Sequence, residues 1–294
     1  MFVLVATGLA VMGGAVYSTL SRTAALRAGV VVIPLQVVID GVSRPEADDA
    51  VTPAVVARAL RAGKRVTTSR PTAEAFAAAF DDLAEAGFDA VVSAHLSLAM
   101  SGTFSAAALA AESSSIPVTV VDTRTLAMAT GFAVLSGAAV AETGAAAADV
   151  AGVIEARAAA ASTYFYVESL DHLRRGGRIG PAAALLGSAL SVKPLLTVSS
   201  GVIRPQERVR TASKAIARLE ELGVAAYLRA RESGGDVQVA VHHLDNAEGA
   251  ERLLEHLQSR LDALSDVTVA EVSAVLGAHV GPGTLGIVVS PQRR

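Results

Sequence analysis

The chain has 294 residues, enough for one large domain or two ordinary ones, and 52% of them are apolar whereas only 18% are charged. Its 25 basic and 28 acidic side chains are spread along the chain and give a net charge of −3, so we expect no nucleic-acid-binding surface. Because the chain has no cysteine, disulfides, thiolate metal sites, iron–sulfur clusters and cysteine nucleophiles are excluded. The composition predicts a soluble, alanine-rich globular protein.

The first 17 residues are almost wholly apolar, and Arg22 is the first charged residue. A signal peptide or membrane anchor is one interpretation of this run. Against it, no basic segment precedes the run, no clear cleavage site follows it, and glycines interrupt it before the ~20 residues that a membrane-spanning helix needs. The favoured interpretation is a buried strand at residues 2–6, then a glycine turn and a helix, in a cytoplasmic protein without stable membrane insertion.

From residue 30 onward, short β-branched segments alternate with alanine-rich helical segments, which is typical of an α/β fold with mainly parallel sheets. Strands are predicted at residues 30–39, 89–97, 117–123, 163–169, 237–244 and 285–290. Helices are predicted at residues 72–85, 103–111, 145–161, 211–222 and 247–264, with Thr72 and Asn246 marking two helix starts. An aromatic stretch follows the alanine-rich helix near residue 162 and predicts two domains, residues 1–162 and residues 163–294.

Two segments of the predicted N-terminal domain place hydroxyl groups before a helix. The first contains Thr68, Ser69 and Thr72, and free N–H groups at a helix start can bind an anion together with such hydroxyls. Helix capping alone is the other interpretation. The second is the Ser101-Gly102-Thr103 turn, at the edge of a parallel sheet where α/β proteins bind ligands. It does not match the nucleophile elbow of hydrolases, and the preceding His95 is predicted to be a core or turn residue.

Two further segments of the predicted C-terminal domain carry cations or a histidine. Arg174, Arg175 and Arg178 surround a glycine pair and would suit a carboxylate or phosphate, because guanidinium groups donate two parallel hydrogen bonds. A solvated turn is the alternative, although no carboxylate in residues 173–200 neutralises the run. His279 precedes a Gly-Pro-Gly turn, and its imidazole either donates to an anion or is purely structural.

Taken in order, five motifs resemble the DegV family of bacterial fatty-acid-binding proteins. They are T-S-x-P-T at residues 68–72, L-S-x-x-x-S-G-T-F at 96–104, L-R-R-G-G-R-I at 173–179, K-P-L-L at 193–196 and H-x-G-P-G at 279–283. The resemblance extends from about residue 30 to the C-terminus. It implies two α/β domains with a long-chain fatty acid in the interdomain cleft. It also implies a role as the acyl-binding subunit that presents the carboxylate to a separate ATP-dependent kinase subunit, which makes the acyl phosphate.

The resemblance also implies roles for individual residues. Thr68 and Ser101 would hydrogen-bond the carboxylate, with Ser69 and Gly102 close by and His279 near the head group. The three arginines, chiefly Arg174 and Arg175, would serve the mouth of the head-group site or the kinase contact. The sequence departs from the family at its start, because residues 5–10 read V-A-T-G-L-A where a strand and turn with an Asp-Ser-Thr run is expected.

No catalytic residue, metal or cofactor is predicted, because the chain has no P-loop, no dinucleotide fingerprint and no clustered carboxylates for magnesium. A non-catalytic carrier that binds a fatty acid is therefore favoured. One alternative is a stand-alone acyl- or phosphoryl-transfer enzyme with Ser101 as nucleophile and His279 as base. Others are a simple lipid carrier without a kinase and a secreted or membrane-anchored one.

Overall fold

The computed structural model describes residues 9–14, 25, 27–46, 49–185, 193–261, 264 and 266–292. The strands in this part of the chain are β1 (Leu9–Gly14), β2 (Val31–Ile33), β3 (Gln36–Ile39), β4 (Val42–Pro45), β5 (Val66–Ser69), β6 (Ala90–His95), β7 (Val118–Asp122), β8 (Ser162–Tyr166), β9 (Lys193–Ser199), β10 (Val202–Val209), β11 (Asp236–His243), β12 (Val267–Glu271) and β13 (Leu285–Gln292). The α-helices are α1 (Pro53–Arg61), α2 (Ala73–Glu85), α3 (Thr103–Ala111), α4 (Met128–Ala141), α5 (Ala147–Ala160), α6 (Asp171–Arg175), α7 (Ala212–Glu232), α8 (Ala247–Arg260) and α9 (Ala274–Val280). Short 3-10 helices occupy Asp49–Val51 and Gly180–Leu185.

The chain divides into two compact units. The first unit comprises Met1–Gln36 and Ser69–Ala159, and the second comprises Val37–Thr68 and Ala160–Arg294. The division at residue 160 lies close to the boundary predicted at residue 162. The predicted domains differ from the units in one respect, because Val37–Thr68 belongs to the second unit and not with the N-terminal residues.

The first unit has a four-stranded parallel sheet in the order β2-β1-β6-β7, as the alternation of strands and helices predicts. Phe76, Phe80 and Leu83 of α2 are fully buried and pack with Val91 of β6 and with the alanines of α3. The helix α2 begins where predicted, because the Thr72 hydroxyl accepts a hydrogen bond from the Ala75 N–H at 3.3 Å. This core fixes the edge of β6 from which the Ser101-Gly102-Thr103 turn leads into α3.

The second unit has a six-stranded sheet in the order β10-β9-β8-β13-β11-β12, and this sheet is mixed. Among its described pairings only β11 with β12 is parallel, whereas the other four are antiparallel. For β9 and β10 the antiparallel pairing follows from their short connection. They are joined through Ser200 and Gly201, both with positive φ as a tight hairpin requires. The expectation of mainly parallel sheets is thus confirmed for the first unit, while the second unit combines both directions.

The segment Val37–Thr68 belongs to the second unit because its strands and helix contact the C-terminal part of the chain. The strands form a three-stranded sheet in the order β4-β3-β5, and Ala57 of α1 is buried with Leu244 and Val272. An exposed ion pair joins Arg61 Nε to Asp245 Oδ2 at 2.7 Å. These contacts connect residues about 190 positions apart and leave no signal in local sequence patterns, which explains why a single boundary was predicted.

Several predicted elements differ in extent from the observed ones. The predicted strand at residues 30–39 is interrupted after Ile33, where Pro34 separates β2 from β3. The strand predicted at residues 2–6 lies outside the described residues, and the first described strand is β1 at Leu9–Gly14. The Asn246 side chain does not cap α8 but donates to the Gly283 carbonyl at 3.1 Å. Within the residues described, no helix combines the length and apolarity needed to span a membrane.

Candidate functional site

Thr68 and His279 are in direct contact in the second unit. Thr68 lies in β5, His279 lies in the last turn of α9, and the Thr68 Oγ1 and His279 Nε2 atoms are 2.9 Å apart. The His279 Nδ1 atom is buried without a hydrogen-bond partner among the described residues. A proton on Nδ1 would leave a buried N–H group unpaired, so we assign the proton to Nε2, which then donates to Thr68. The Thr68 hydroxyl proton is thereby free to be donated to a ligand.

His279 is neutral at physiological pH in this environment. Burial lowers the pKa of His279 to about 4, and the nearby Arg178 guanidinium acts in the same direction. A neutral imidazole still donates a hydrogen bond, here to Thr68, but it contributes no positive charge. The charge of a bound anion must therefore be balanced by other groups.

Glycines make room for the imidazole rings around this pair. A Cβ atom at Gly176 would overlap His279 Nδ1 and would lie 2.9 Å from its Cε1 atom. Gly281 has φ +79°, and a Cβ atom there would overlap the ring of His172. The sequence suggested that Gly176 belongs to a flexible glycine pair. Its φ of −76° shows that close approach to His279, and not an unusual backbone conformation, is what requires glycine.

In the first unit, Ser101 and Gly102 directly precede the helix α3. The Ser101 Oγ atom accepts from the Thr103 hydroxyl at 3.0 Å and from the Thr103 N–H at 3.4 Å. Because these contacts use the acceptor capacity of Ser101, its own proton remains available for a ligand. His95 at the end of β6 is a core residue as predicted, since it is fully buried and its Nε2 atom lies 2.9 Å from the Ser93 hydroxyl.

Arg70 is a functional candidate that the sequence analysis did not select. Its side chain lies against Gly102, because a Cβ atom at Gly102 would come within 2.9 Å of Arg70 Cδ and 3.0 Å of its Nη1. The cation therefore lies beside the turn that carries Ser101. A charged residue inside the T-S-x-P-T motif was the available signal. Ser69, just before it, donates its hydroxyl to the Arg70 carbonyl at 3.2 Å.

The three arginines of the glycine-containing turn have different surroundings. Arg174 forms an ion pair with Asp171 at 3.2 Å. Asp171 lies just before residues 173–200, the segment that contains no carboxylate. Arg178 donates to the Gly176 carbonyl at 2.6 Å. Arg175 is exposed and forms no ion pair with the described carboxylates. Of the three, Arg175 is the one most open to an external partner.

The structure thus brings Thr68 and His279 together and sets Gly176 and Arg178 beside them. Ser101 and Gly102 adjoin each other and Arg70 in the first unit, which also contains Ser69. No three histidine or acidic groups converge into a candidate metal site in the part of the chain that the structure describes. The arrangement offers hydroxyl donors of the kind that bind an anion, and the His279 imidazole orients one of them, the Thr68 hydroxyl.

Comparisons with known proteins agree with the motifs. A family model described as "Uncharacterised protein, DegV family" matches residues 17–292. The chain is 49% identical over 266 residues to DegV domain-containing protein SCO2569 of Streptomyces coelicolor, which covers 90% of this chain and 92% of that protein.

Two solved structures are similar over nearly the whole chain. One is described as fatty acid binding of a DegV family protein from Thermus thermophilus, with a TM-score of 0.87, 29% identity and coverage of 97% of this chain and 99% of that one. The other is DegV of Bacillus subtilis, described as a fatty acid binding protein, with a TM-score of 0.85, 30% identity and coverage of 98% and 100%. The mixed α/β fold matches these fatty-acid-binding structures.

Proposed function

The chain belongs to the DegV family, and we propose that it binds a long-chain fatty acid through the carboxylate and presents that carboxylate to a separate ATP-dependent kinase subunit, which forms the acyl phosphate. The observation that carries the proposal is the contact between Thr68 and His279, in which a neutral imidazole leaves a threonine proton free for an anion. Fatty acid binding by similar DegV structures supports the choice of ligand. We place the carrier in the cytoplasm, where such a kinase has ATP.

The proposed carboxylate-binding residues are Thr68, Ser69, Ser101, Gly102 and His279, with His279 acting through the Thr68 hydroxyl that it contacts. A carboxylate buried without partners costs several kcal/mol, so hydroxyl donors are what its head group requires. His279 contributes by orienting the Thr68 hydroxyl. An acyl chain of ~15 methylenes contributes about 12 kcal/mol of gross burial free energy, at ~0.8 kcal/mol for each methylene. The tail thus supplies most of the affinity and the donors fix the orientation.

We further propose that the protein is not itself a catalyst. A transferase in which Ser101 is the nucleophile needs His279 as its base, but the hydroxyl that contacts His279 Nε2 is that of Thr68. The Ser101 hydroxyl instead accepts hydrogen bonds at the start of α3. Both contacts favour a carrier that depends on a partner for chemistry. We propose no metal or cofactor, only the fatty acid as ligand.

Organic extraction and mass spectrometry of the purified protein test the ligand. We expect a co-purifying acid of about 14 to 20 carbons, since burial of each methylene contributes ~0.8 kcal/mol. Thr68→Ala and Ser101→Ala are expected to lower the retained amount, because each removes a donor to the carboxylate. Thr143→Ala, which removes an exposed hydroxyl of the first unit, is the matched control. Wild-type retention by both site variants would refute the head-group assignment, and an empty wild-type protein that takes up no added acid would refute the ligand.

Charge reversal at Arg175 tests the kinase contact. We expect Arg175→Glu to reduce kinase-dependent acyl-phosphate formation by roughly tenfold or more while fatty-acid affinity changes by less than about threefold, because an exposed charge acts mainly on association with a partner. The control is Arg229→Glu, an exposed arginine in the last turn of α7. Equal losses of binding and phosphorylation would instead place Arg175 on the ligand.

A further inference from the structure

The segment Val37–Thr68 holds the helix α9 at both ends. Near the C-terminal end of α9, Thr68 Oγ1 contacts His279 Nε2 at 2.9 Å. Near its N-terminal end, Glu46 Oε1 accepts a hydrogen bond from the Val275 N–H at 2.9 Å. Glu46 directly follows β4 and Thr68 lies in β5, so both contacts start from the same three-stranded sheet. This sheet and α9 are parts of the second unit.

Glu46 is largely removed from water at this position. Burial raises the pKa of Glu46, while hydrogen bonds from the Ser273 side chain and the Val275 N–H act in the opposite direction. Its second oxygen, Oε2, has no hydrogen-bond partner in the described part of the chain. Burying a carboxyl group in this way is unfavourable unless its contacts serve the fold or the site. The interactions of the buried side chain are with Ser273, which precedes α9, and with the Val275 N–H in its first turn.

The geometry of α9 transmits this contact to His279. Val275 and His279 are four residues apart, which places them on the same face of a helix about 6 Å apart along its axis. Leu276 and Val280 of α9 pack against the buried cluster of Ala57, Leu244 and Val272. A helix of only seven residues has few hydrogen bonds of its own, so its position depends on these external contacts.

We propose that Glu46 is a positioning residue for the Thr68–His279 pair: by holding the Val275 N–H, it fixes the helix that presents His279 to Thr68. The importance of this pair for ligand binding rests on the proposed function. The positioning itself does not, because it is a relation among Glu46, α9 and His279 in the protein without ligand.

Three substitutions at Glu46 separate the effect of its side-chain length from the effect of its negative charge. Glu46→Gln keeps an acceptor oxygen at the same distance, Glu46→Asp keeps the charge but shortens the side chain by one methylene, and Glu46→Ala removes both. Two quantities are measured in the full-length protein. One is the pKa of His279, followed by NMR of the ring signals. The other is the affinity for palmitate after delipidation.

We expect Glu46→Asp and Glu46→Ala to raise the pKa of His279 by about one unit or more, because a released helix lets water reach the ring. The same variants should weaken palmitate binding by roughly tenfold, the loss that corresponds to about 1.4 kcal/mol. Glu46→Gln should stay within about twofold of the wild type in affinity and within about 0.3 units in the pKa of His279. The reason is that glutamine keeps the side-chain length and the oxygen that accepts the hydrogen bond from the Val275 N–H. If Glu46→Ala does not fold, the contrast between Glu46→Gln and Glu46→Asp decides the question.

The control is Arg61→Ala, which removes the exposed ion pair between Arg61 and Asp245 and keeps the hydrogen bonds of Glu46 and Thr68 to α9. It should leave both the pKa of His279 and the affinity unchanged. An unchanged pKa of His279 in Glu46→Asp and Glu46→Ala would overturn the proposal. It would also be overturned if Glu46→Gln and Glu46→Ala changed the pKa of His279 and the palmitate affinity equally. If the wild type bound no fatty acid, the proposed function would fall, whereas the titration of His279 would still decide the role of Glu46.

Discussion

Replacing Gly176 with alanine is expected to displace His279 from Thr68 and to weaken fatty-acid binding by on the order of tenfold or more, the effect of losing one hydrogen bond to a charged group. An added Cβ atom would overlap His279 Nδ1 and lie 3.2 Å from the His172 carbonyl oxygen, so the ring must move. Alanine tolerates the backbone at this position, where φ is −76°, and the effect therefore arises from the contact alone. Overpacking should also lower the free energy of unfolding by roughly 1–3 kcal/mol.

The matched control for this variant is Gly177→Asn, one residue further along the chain. Gly177 has φ +71° and no atom within 4 Å of the Cβ position, and asparagine tolerates such a backbone better than most residues. We expect Gly177→Asn to keep wild-type affinity. Isothermal titration with palmitate measures the fatty-acid affinity, and the NMR signals of His279 report its displacement from Thr68. Wild-type affinity in Gly176→Ala, with the His279 signals shifted, would show that the contact between His279 and Thr68 does not contribute to head-group binding.

Acid is expected to destabilise the protein between pH 6.5 and about 4. Burial lowers the pKa of four histidines: to about 3 for His95, to about 4 for His242 and His279, and in the same direction for His172. In this pH range the unfolded chain binds protons that the folded protein excludes, so the free energy of unfolding falls as the pH falls. The difference between an ordinary histidine pKa and a pKa of about 4 corresponds to about 3 kcal/mol for each of His242 and His279. The raised pKa of Glu46 acts in the opposite sense and offsets part of this loss.

Urea denaturation at several pH values between 7.5 and 4 measures this loss of stability. A His242→Gln variant should show a shallower dependence on pH, because one buried group no longer titrates. His256→Gln provides the matched control, since it removes an imidazole from the exposed surface of α8. A free energy of unfolding that stays constant from pH 6.5 to 4.5 in the wild type would contradict the assignment of buried, neutral histidines.

The elements that the sequence predicted well are those whose own residues specify them. The helix α3 lies at Thr103–Ala111 as predicted, and β6 lies within the strand predicted at residues 89–97, because alanine runs and β-branched runs carry their signal locally. The helix α4 was missed, although Phe132 and Val134 are buried in it, because it is apolar on all sides and lacks an amphipathic period. The hairpin of β9 and β10 was missed as well, and with it the mixed direction of the second sheet.

For the candidate site, the sequence supplied the residue types but not their neighbours. Thr68 and His279 were selected from separate motifs 211 residues apart, and their contact was not predictable from either motif. Glu46 carried no local signal at all, because a single glutamate after a short strand looks like a surface residue. The roles of the five head-group residues at a carboxylate stay predictions, and the Thr68→Ala and Ser101→Ala variants test two of them.

The sequence by itself determined the α/β class and the family, because composition and short ordered motifs are local properties of the chain. It predicts a site chemistry of hydroxyls, a histidine and arginines. Only the tertiary structure decided that Val37–Thr68 belongs to the second unit, that Gly176 makes room for His279, and that burial leaves this histidine neutral. These properties arise when segments far apart in the sequence pack together and exclude water from the residues between them. The sequence around any one of these residues does not show that packing or the loss of water that lowers the pKa of His279.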